Sequence, residues 1–216
     1  MAVPATEMTD MFDKTRRTLV VGLGETGLSV ARYLSGQGVP VAVVDSRTEP
    51  PALERSRAEL PADVALFLGD FNAEAFERAE QIVISPGVSM QEPAIAAAFA
   101  RGIPVIGDIE LFAQAAVAPV IAVTGSNGKS TVVTLLGAMA RRAGLDVRVG
   151  GNIGTPALDL ITEQEPDLYV LELSSFQLET VSSLRPQAAA VLNVSADHMD
   201  RYTDLQAYAA TKQSIF

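Results

Sequence analysis

Short apolar, β-branched runs recur along the chain, each bounded by turn-forming residues. Leu19-Val20-Val21, Val41 to Val44, Val64 to Leu68, Ile82-Val83-Ile84 and Val105-Ile106 contain almost no polar positions. Such unbroken runs suit strands covered on both faces, whereas a half-exposed strand would alternate. Between them lie helix-like stretches, among them Thr26 to Ser35 and Pro93 to Arg101. Strand and helix alternate throughout, which predicts an α/β fold with a parallel sheet covered on both faces. Ligands of such sheets bind at the carboxyl ends of the strands, so motifs found there count for most.

The pattern restarts in the second half. Val120 to Val123 reads as a strand, a glycine-rich loop follows, and Lys129 to Ala143 reads as a helix. Further strands are expected at Val147 to Val149, Leu168 to Leu173 and Ala189 to Leu192. A boundary belongs near Gly107 to Pro119, around the helix-like Asp108 to Ala116, giving domains over 1–107 and 108–216.

Composition narrows the classes. Apolar residues make up 48% of the chain and glycine and proline are scattered, the profile of a globular protein rather than a disordered one. No apolar run is long enough to span a bilayer, and Met1 to Asp10 lacks a basic segment ahead of an apolar core. The absence of cysteine excludes disulfides, thiolate metal sites and cysteine nucleophiles. A net charge of −10 argues against nucleic-acid and anionic-membrane partners, although a helix terminus still binds a small anion. A cytoplasmic enzyme or binding protein is expected.

Two loops carry candidate chemistry. Gly22-Leu23-Gly24-Glu25-Thr26-Gly27 follows a strand and opens a helix, with Asp45 ending the next strand. Glycines there permit a tight turn and close approach of a phosphate to helix N–H groups, and Asp45 stands where a ribose hydroxyl is held in dinucleotide sites. The plainer reading is a glycine turn serving helix–strand packing. The second loop, Thr124-Gly125-Ser126-Asn127-Gly128-Lys129-Ser130-Thr131, is more specific. Its N–H groups can cradle phosphates, Lys129 can neutralise the β- and γ-phosphates, and Ser130 can offer a hydroxyl to Mg²⁺. The usual P-loop has another glycine five positions before Gly128; Val123 stands there instead, so this is a shortened variant.

Three further residues are candidates of lesser weight. Glu172 ends an apolar strand and is placed to hold Mg²⁺, or simply to face solvent. His198, the single histidine, lies between Asp197 and Asp200 in a strand-end loop and reads equally as a ligand or as structural. Lys212 sits in an expected helix and by itself reads as an ordinary solvated lysine.

These pieces in this order resemble the Mur ligase family. The loop Thr124 to Thr131 matches the family's P-loop variant, and Ser85-Pro86-Gly87, Gly107 to Phe112, Gly150 to Gly154, Leu171 to Glu179 and His198 to Tyr202 resemble its D-glutamate-adding branch. The resemblance implies a Rossmann-like domain followed by the first part of a P-loop ATP-binding domain. It implies that the first domain binds a UDP substrate, with Glu25 and Thr26 against the diphosphate, Asp45, Ser46 and Arg47 about the uracil and ribose, and Gly87 nearby. Asn152, Ser174 and His198 are then expected at the sugar and lactyl-alanyl portion or its metal. ATP is expected on Gly125, Asn127, Gly128, Lys129, Ser130 and Thr131, with Mg²⁺ held by Ser130 and Glu172. Lys212 matches a family lysine that CO₂ carbamylates, a change that would let it join His198 on a second Mg²⁺. Lys129, His198 and Lys212 are the catalytic candidates.

The reaction so implied joins D-glutamate to UDP-N-acetylmuramoyl-L-alanine through an acyl phosphate, with ADP and phosphate released. Family members carry a C-terminal domain that helps bind the amino acid, and this sequence stops at Phe216. The expectation is therefore a truncated chain that binds the UDP substrate and turns over little alone. The alternatives are a family member adding another amino acid, a non-catalytic nucleotide-binding module, and an NAD-dependent oxidoreductase built on Gly22 to Asp45.

Overall fold

The computed structural model describes residues 12–216; Met1 to Asp10, read above for a leader, lies outside the described residues. The chain divides into two compact units, with the break between Ile106 and Gly107.

The first unit runs β1 (Thr18–Val21), α1 (Glu25–Gly36), β2 (Val41–Asp45), α2 (Leu53–Glu59), β3 (Ala65–Leu68), α3 (Ala73–Arg78), β4 (Gln81–Ile84), α4 (Pro93–Ala100) and β5 (Val105–Gly107). The strands form one sheet in the order β3-β2-β1-β4-β5. β1 pairs in parallel with β2 and β4, and β2 with β3. All four residues of β1 and of β4 are buried, which is why their sequences are apolar without alternation. Leu19, Val21, Val44, Ile82 and Ile84 pack against Phe76, Ile95 and Ala98 of α3 and α4 on one face. Each large aliphatic side chain fully buried there contributes about 1.5–3 kcal/mol. Strand order reverses between β1 and β4, the position at which such sheets open a crevice.

The second unit runs α5 (Asp108–Ala115), β6 (Val120–Thr124), α6 (Lys129–Arg142), β7 (Val147–Gly151), a 3₁₀ turn (Ala157–Leu160), β8 (Leu168–Glu172), α7 (Ser175–Leu178), β9 (Ala188–Val191) and α8 (Leu205–Gln213). Its sheet has the order β7-β8-β6-β9, every pairing parallel. β8 is buried along its whole length, its last residue included. Val123, Val147, Leu168 and Val170 pack against Val133 of α6.

The predicted strands are present, displaced at their ends by a residue or two. The short helices α2, α3 and α7 have no counterpart in the sequence reading, because four to seven residues are too few for a helical period to show. No helix among the described residues is long and apolar enough to cross a membrane.

Candidate functional site

The first glycine loop divides into glycines the fold requires and one it does not. Gly22 has φ +96, and a Cβ there would lie 3.0 Å from Ser85 and Val88. A Cβ on Gly27 would stand 1.8 Å from the Gly22 carbonyl oxygen. Both glycines are thus explained by helix–strand packing. Gly24 has φ −95 and open space where its Cβ would be. Nothing in the protein demands glycine there, whereas a ligand approaching the start of α1 would.

Asp45 ends β2 and is 2% exposed. One carboxylate oxygen accepts the Leu23 N–H at 2.6 Å and the Arg47 Nη2 at 2.7 Å; the other accepts the Arg47 N–H at 2.9 Å and its Nε at 2.8 Å. Burial alone would raise this carboxyl, but the Arg47 and Leu23 hydrogen bonds hold it below the usual carboxylate range. The acid that a dinucleotide fingerprint keeps for a ribose is therefore engaged in locking the loop. The half-exposed Arg47 guanidinium and the exposed Ser46 are the groups that reach solvent. Glu25 pairs with Arg55 at the surface, Thr26 is half-buried, and Gly87 is exposed after β4.

The second loop connects β6 to α6 and is held on both sides. Gly125 (φ +153) and Gly128 (φ +83) take backbone conformations that suit glycine alone. Asn193, just past β9, accepts the Asn127 N–H at 2.9 Å and donates to the Asn127 carbonyl at 3.0 Å. Ser126 donates its N–H to the Asn193 carbonyl at 3.0 Å, and its hydroxyl accepts the Ser195 N–H at 3.0 Å. The loop is thus fixed through its side chains and outer amides, with the first turn of the fourteen-residue α6 behind it. That is an anion-binding arrangement. Thr131 is exposed on that first turn.

Ser130 Oγ lies 2.8 Å from Glu172 Oε2, and the other oxygen of Glu172 accepts Asn152 Nδ2 at 2.9 Å. Glu172 is 2% exposed, so the solvent-facing reading of this acid is overturned: the parallel pairing of β6 with β8 brings its strand end beside the loop. A hydroxyl, a carboxylate and an amide oxygen are hard donors that fit Mg²⁺ completed by waters. Among the described residues no three His, Asp or Glu side chains gather as a ready-made cluster, so this pair supplies only part of a coordination sphere.

Two lysines converge on one carbonyl. Lys129 Nζ donates to the Gly125 oxygen at 2.9 Å and to the Ser126 oxygen at 3.2 Å; Lys212 Nζ donates to the same Gly125 oxygen at 3.1 Å. Lys212 is 1% exposed and its amine lies 4.5 Å from the centre of the Tyr208 ring. The solvated-lysine reading is therefore corrected. Burial, aided by the charge of Lys129, lowers its pKa to about 8. A helical lysine in isolation gives no sign of this; the docking of α8 beside the loop creates it.

His198 is exposed, with φ +54, the one non-glycine residue at positive φ among those described. Its ring lies 4.7 Å from that of Phe176, on which Arg201 also stacks, while Nε2 is 3.5 Å from Asp197. Ser174 caps α7, accepting the Gln177 N–H at 3.2 Å. Asn193, Ser126 and Tyr208 were not singled out by sequence. Asn193 stands at a strand's carboxyl end, the one signal by which it was findable.

The chain is similar to known proteins over both units. Residues 16–107 match the model of the Mur ligase MurD-like N-terminal domain, and residues 123–216 that of the Mur ligase middle domain. The chain is 63% identical over 201 residues to the UDP-N-acetylmuramoylalanine--D-glutamate ligase of Marinobacter nauticus, covering 93% of this chain and 45% of that protein. The ligase of the same name from Nitrosococcus oceani is 59% identical, with 92% and 44% covered. The chain thus spans somewhat less than half the length of these curated relatives. Among solved structures, the UDP-N-acetylmuramate:L-alanyl-gamma-D-glutamyl-meso-diaminopimelate ligase from Neisseria meningitides superposes with a TM-score of 0.62 at 20% identity, covering 93% of this chain and 67% of that one. The UDP-N-acetylmuramate-alanine ligase from Thermotoga maritima gives 0.57 at 19% identity, covering 93% and 46%. With a locked Rossmann-like loop in one unit, a shortened P-loop facing a buried glutamate in the other, and a family match over each, the chain belongs to the Mur ligase family.

Proposed function

We propose that the protein to which these residues belong is an ATP-dependent ligase that joins D-glutamate to UDP-N-acetylmuramoyl-L-alanine in peptidoglycan precursor synthesis. The 216 residues bind the UDP substrate and ATP. The observation that carries this reading is the P-loop itself: Lys129 and the Ser130–Glu172 pair meet at the carboxyl edge of the second sheet. The high identity to curated D-glutamate ligases supports the choice of substrates.

A carboxylate is a poor electrophile, so amide formation needs a leaving group. The alanyl carboxylate attacks the γ-phosphorus of ATP, ADP departs, and an acyl phosphate forms. The amine of D-glutamate then attacks the acyl carbon, loses a proton, and inorganic phosphate leaves. Lys129 offsets the negative charge on the transferring phosphoryl group, and the amides at the start of α6 hold the nucleotide phosphates. Ser130 and Glu172 hold Mg²⁺, which when bound neutralises phosphate charge. Lys212 has the environment that carbamylation needs: a buried amine lowered to about 8 is partly neutral near pH 7.5. Its lone pair attacks CO₂, one proton is released, and the product is a carboxylate-like ligand placed to act with His198. In the first unit, Gly24, Glu25 and Thr26 take the diphosphate, Ser46 and Arg47 the uracil and ribose, and Asp45 acts by holding Arg47. Gly87 lines the neighbouring loop. In the second unit, Asn152, Ser174 and His198 serve the muramoyl-alanine portion. The protein is assigned to the cytoplasm, where its nucleotide substrates are.

Titration calorimetry with UDP-N-acetylmuramoyl-L-alanine and, separately, NAD tests the reading. Saturable binding of the UDP compound without NAD binding is expected. Binding of NAD alone would overturn it and restore the oxidoreductase.

A further inference from the structure

The stretch Gly107 to Phe112 has no part in the reaction above, yet it carries a costly buried group. Asp108 opens α5 and is 2% exposed. Its Oδ2 accepts Gln177 Nε2 at 2.9 Å, and its Oδ1 has no hydrogen-bond partner. Gln177 in turn faces Ser174: its Oε1 accepts the Ser174 N–H at 3.1 Å and lies 3.3 Å from the Ser174 hydroxyl oxygen. The Gln177 backbone N–H donates to that same hydroxyl at 3.2 Å.

An ionised carboxylate accepts hydrogen bonds and donates none, so it selects which end of an amide faces it. Asp108 must meet the amino end of Gln177, and Oε1 is thereby turned toward Ser174. The Ser174 hydroxyl then gives its proton to Oε1 and accepts the Gln177 N–H, which leaves one lone pair for a ligand. With the amide reversed, an NH₂ group would face Ser174 and the hydroxyl proton would be free to donate outward. Burial pushes the Asp108 carboxyl up to about 6, against the pull of the Gln177 hydrogen bond, so near neutral pH it remains mainly ionised and the orientation holds. Burying a half-paired carboxylate destabilises a fold, and packing alone would be served by an apolar residue.

We propose that Asp108 is a positioning residue which, through Gln177, presents Ser174 to the ligand as a hydrogen-bond acceptor, so that the ligand group recognised is an N–H or O–H donor and not a carboxylate. This rests on the placement of Ser174 at the muramoyl-alanine portion, which carries amide N–H groups of that kind.

The test compares Asp108→Ala, Ser174→Ala and the double variant by calorimetric titration of the chain with UDP-N-acetylmuramoyl-L-alanine and with UDP. Each single variant is expected to bind the muramoyl compound about tenfold more weakly, the loss of one buried-site hydrogen bond, and to bind UDP unchanged. The double variant should lose no more than Ser174→Ala alone. Wild-type affinity in Asp108→Ala, or losses that multiply in the double variant, would overturn the relay. Should Asp108→Ala fail to fold, Asp108→Asn keeps the volume and carries the same cycle, since an asparagine amide can turn and release Gln177. Nuclear magnetic resonance of the free chain is independent of any ligand. Slowly exchanging Gln177 side-chain amide protons in the wild type, fast in the variant, support the relay; free-amide exchange in the wild type overturns it. A wild type that holds neither ligand but keeps those protons protected would sink the proposed function while leaving the relay standing.

Discussion

The two units share an architecture and differ in what they bury. In the first, Asp45 is the one buried charged side chain among the described residues, and it is fully paired in holding a loop. In the second, Asp108, Glu110, Glu172 and Lys212 are all buried. Glu110 is satisfied by the N–H groups of Ser182 and Ser183, but Asp108 keeps an unpartnered oxygen and Lys212 has only the Gly125 carbonyl. Parallel sheets wrapped by helices do not need buried charge in order to fold, as the first unit demonstrates. Where such charge gathers at strand ends beside a phosphate loop, it marks the place where chemistry is done. The glycine loops repeat the lesson: the first is explained mostly by its own packing, the second mostly by what it can hold.

Removing the cation of the second loop should have the largest effect. Lys129→Ala in the whole-length protein is expected to lower turnover on the order of a thousandfold while leaving UDP binding intact, measured by ADP release and calorimetry. A loss below about tenfold would erase the functional contrast between the loops. The first loop is probed by its glycines. Gly27→Ala drives a methyl onto the Gly22 carbonyl and should destabilise the first unit by about 3 kcal/mol, seen in denaturant unfolding. Gly24→Ala should change stability by less than about 0.5 kcal/mol and yet weaken UDP binding several-fold. Equal stability losses at both glycines would mean that the loop serves packing alone.

The smallest effect concerns buried charge and depends on pH. The folded chain holds the Asp108 proton to about 6 against an ordinary value of 3.8, so the folded state binds that proton more tightly than the unfolded chain. This group's contribution to stability is fully present below about 4 and is lost as pH rises through about 6. Asp108→Asn removes that slope, so the variant should gain on the wild type between pH 4 and 7, by roughly 2 kcal/mol from the size of the shift. Parallel unfolding curves at both pH values would show that Asp108 is better paired than its geometry indicates.

Much of the architecture was legible before any coordinates. Unbroken apolar runs such as Val20-Val21 and Val170-Leu171 have no low-energy place except a strand covered on both faces, and their alternation with helices leaves a parallel sheet as the outcome. The loop Thr124 to Thr131 was legible because a phosphate cradle needs glycine, lysine and serine at fixed spacing in consecutive residues. Residues whose importance comes from distant neighbours were not legible in their own right. Lys212 looks like any helical lysine until α8 carries it against Gly125, 87 residues away in the chain. Asn193 shows nothing until β9 pairs with β6 and sets it beside Asn127.

The sequence by itself determined the elements, their alternation and the two loops, because those depend on local periodicity and on backbone conformations that single residues permit. Only the tertiary structure decided which charges lose their water and which of them face one another. Burial and pairing arise between strand ends far apart in the chain, and no local pattern records them. The engagement of Asp45 by Arg47 and Leu23, the meeting of Ser130 with Glu172, and the line from Asp108 through Gln177 to Ser174 all belong to that second class.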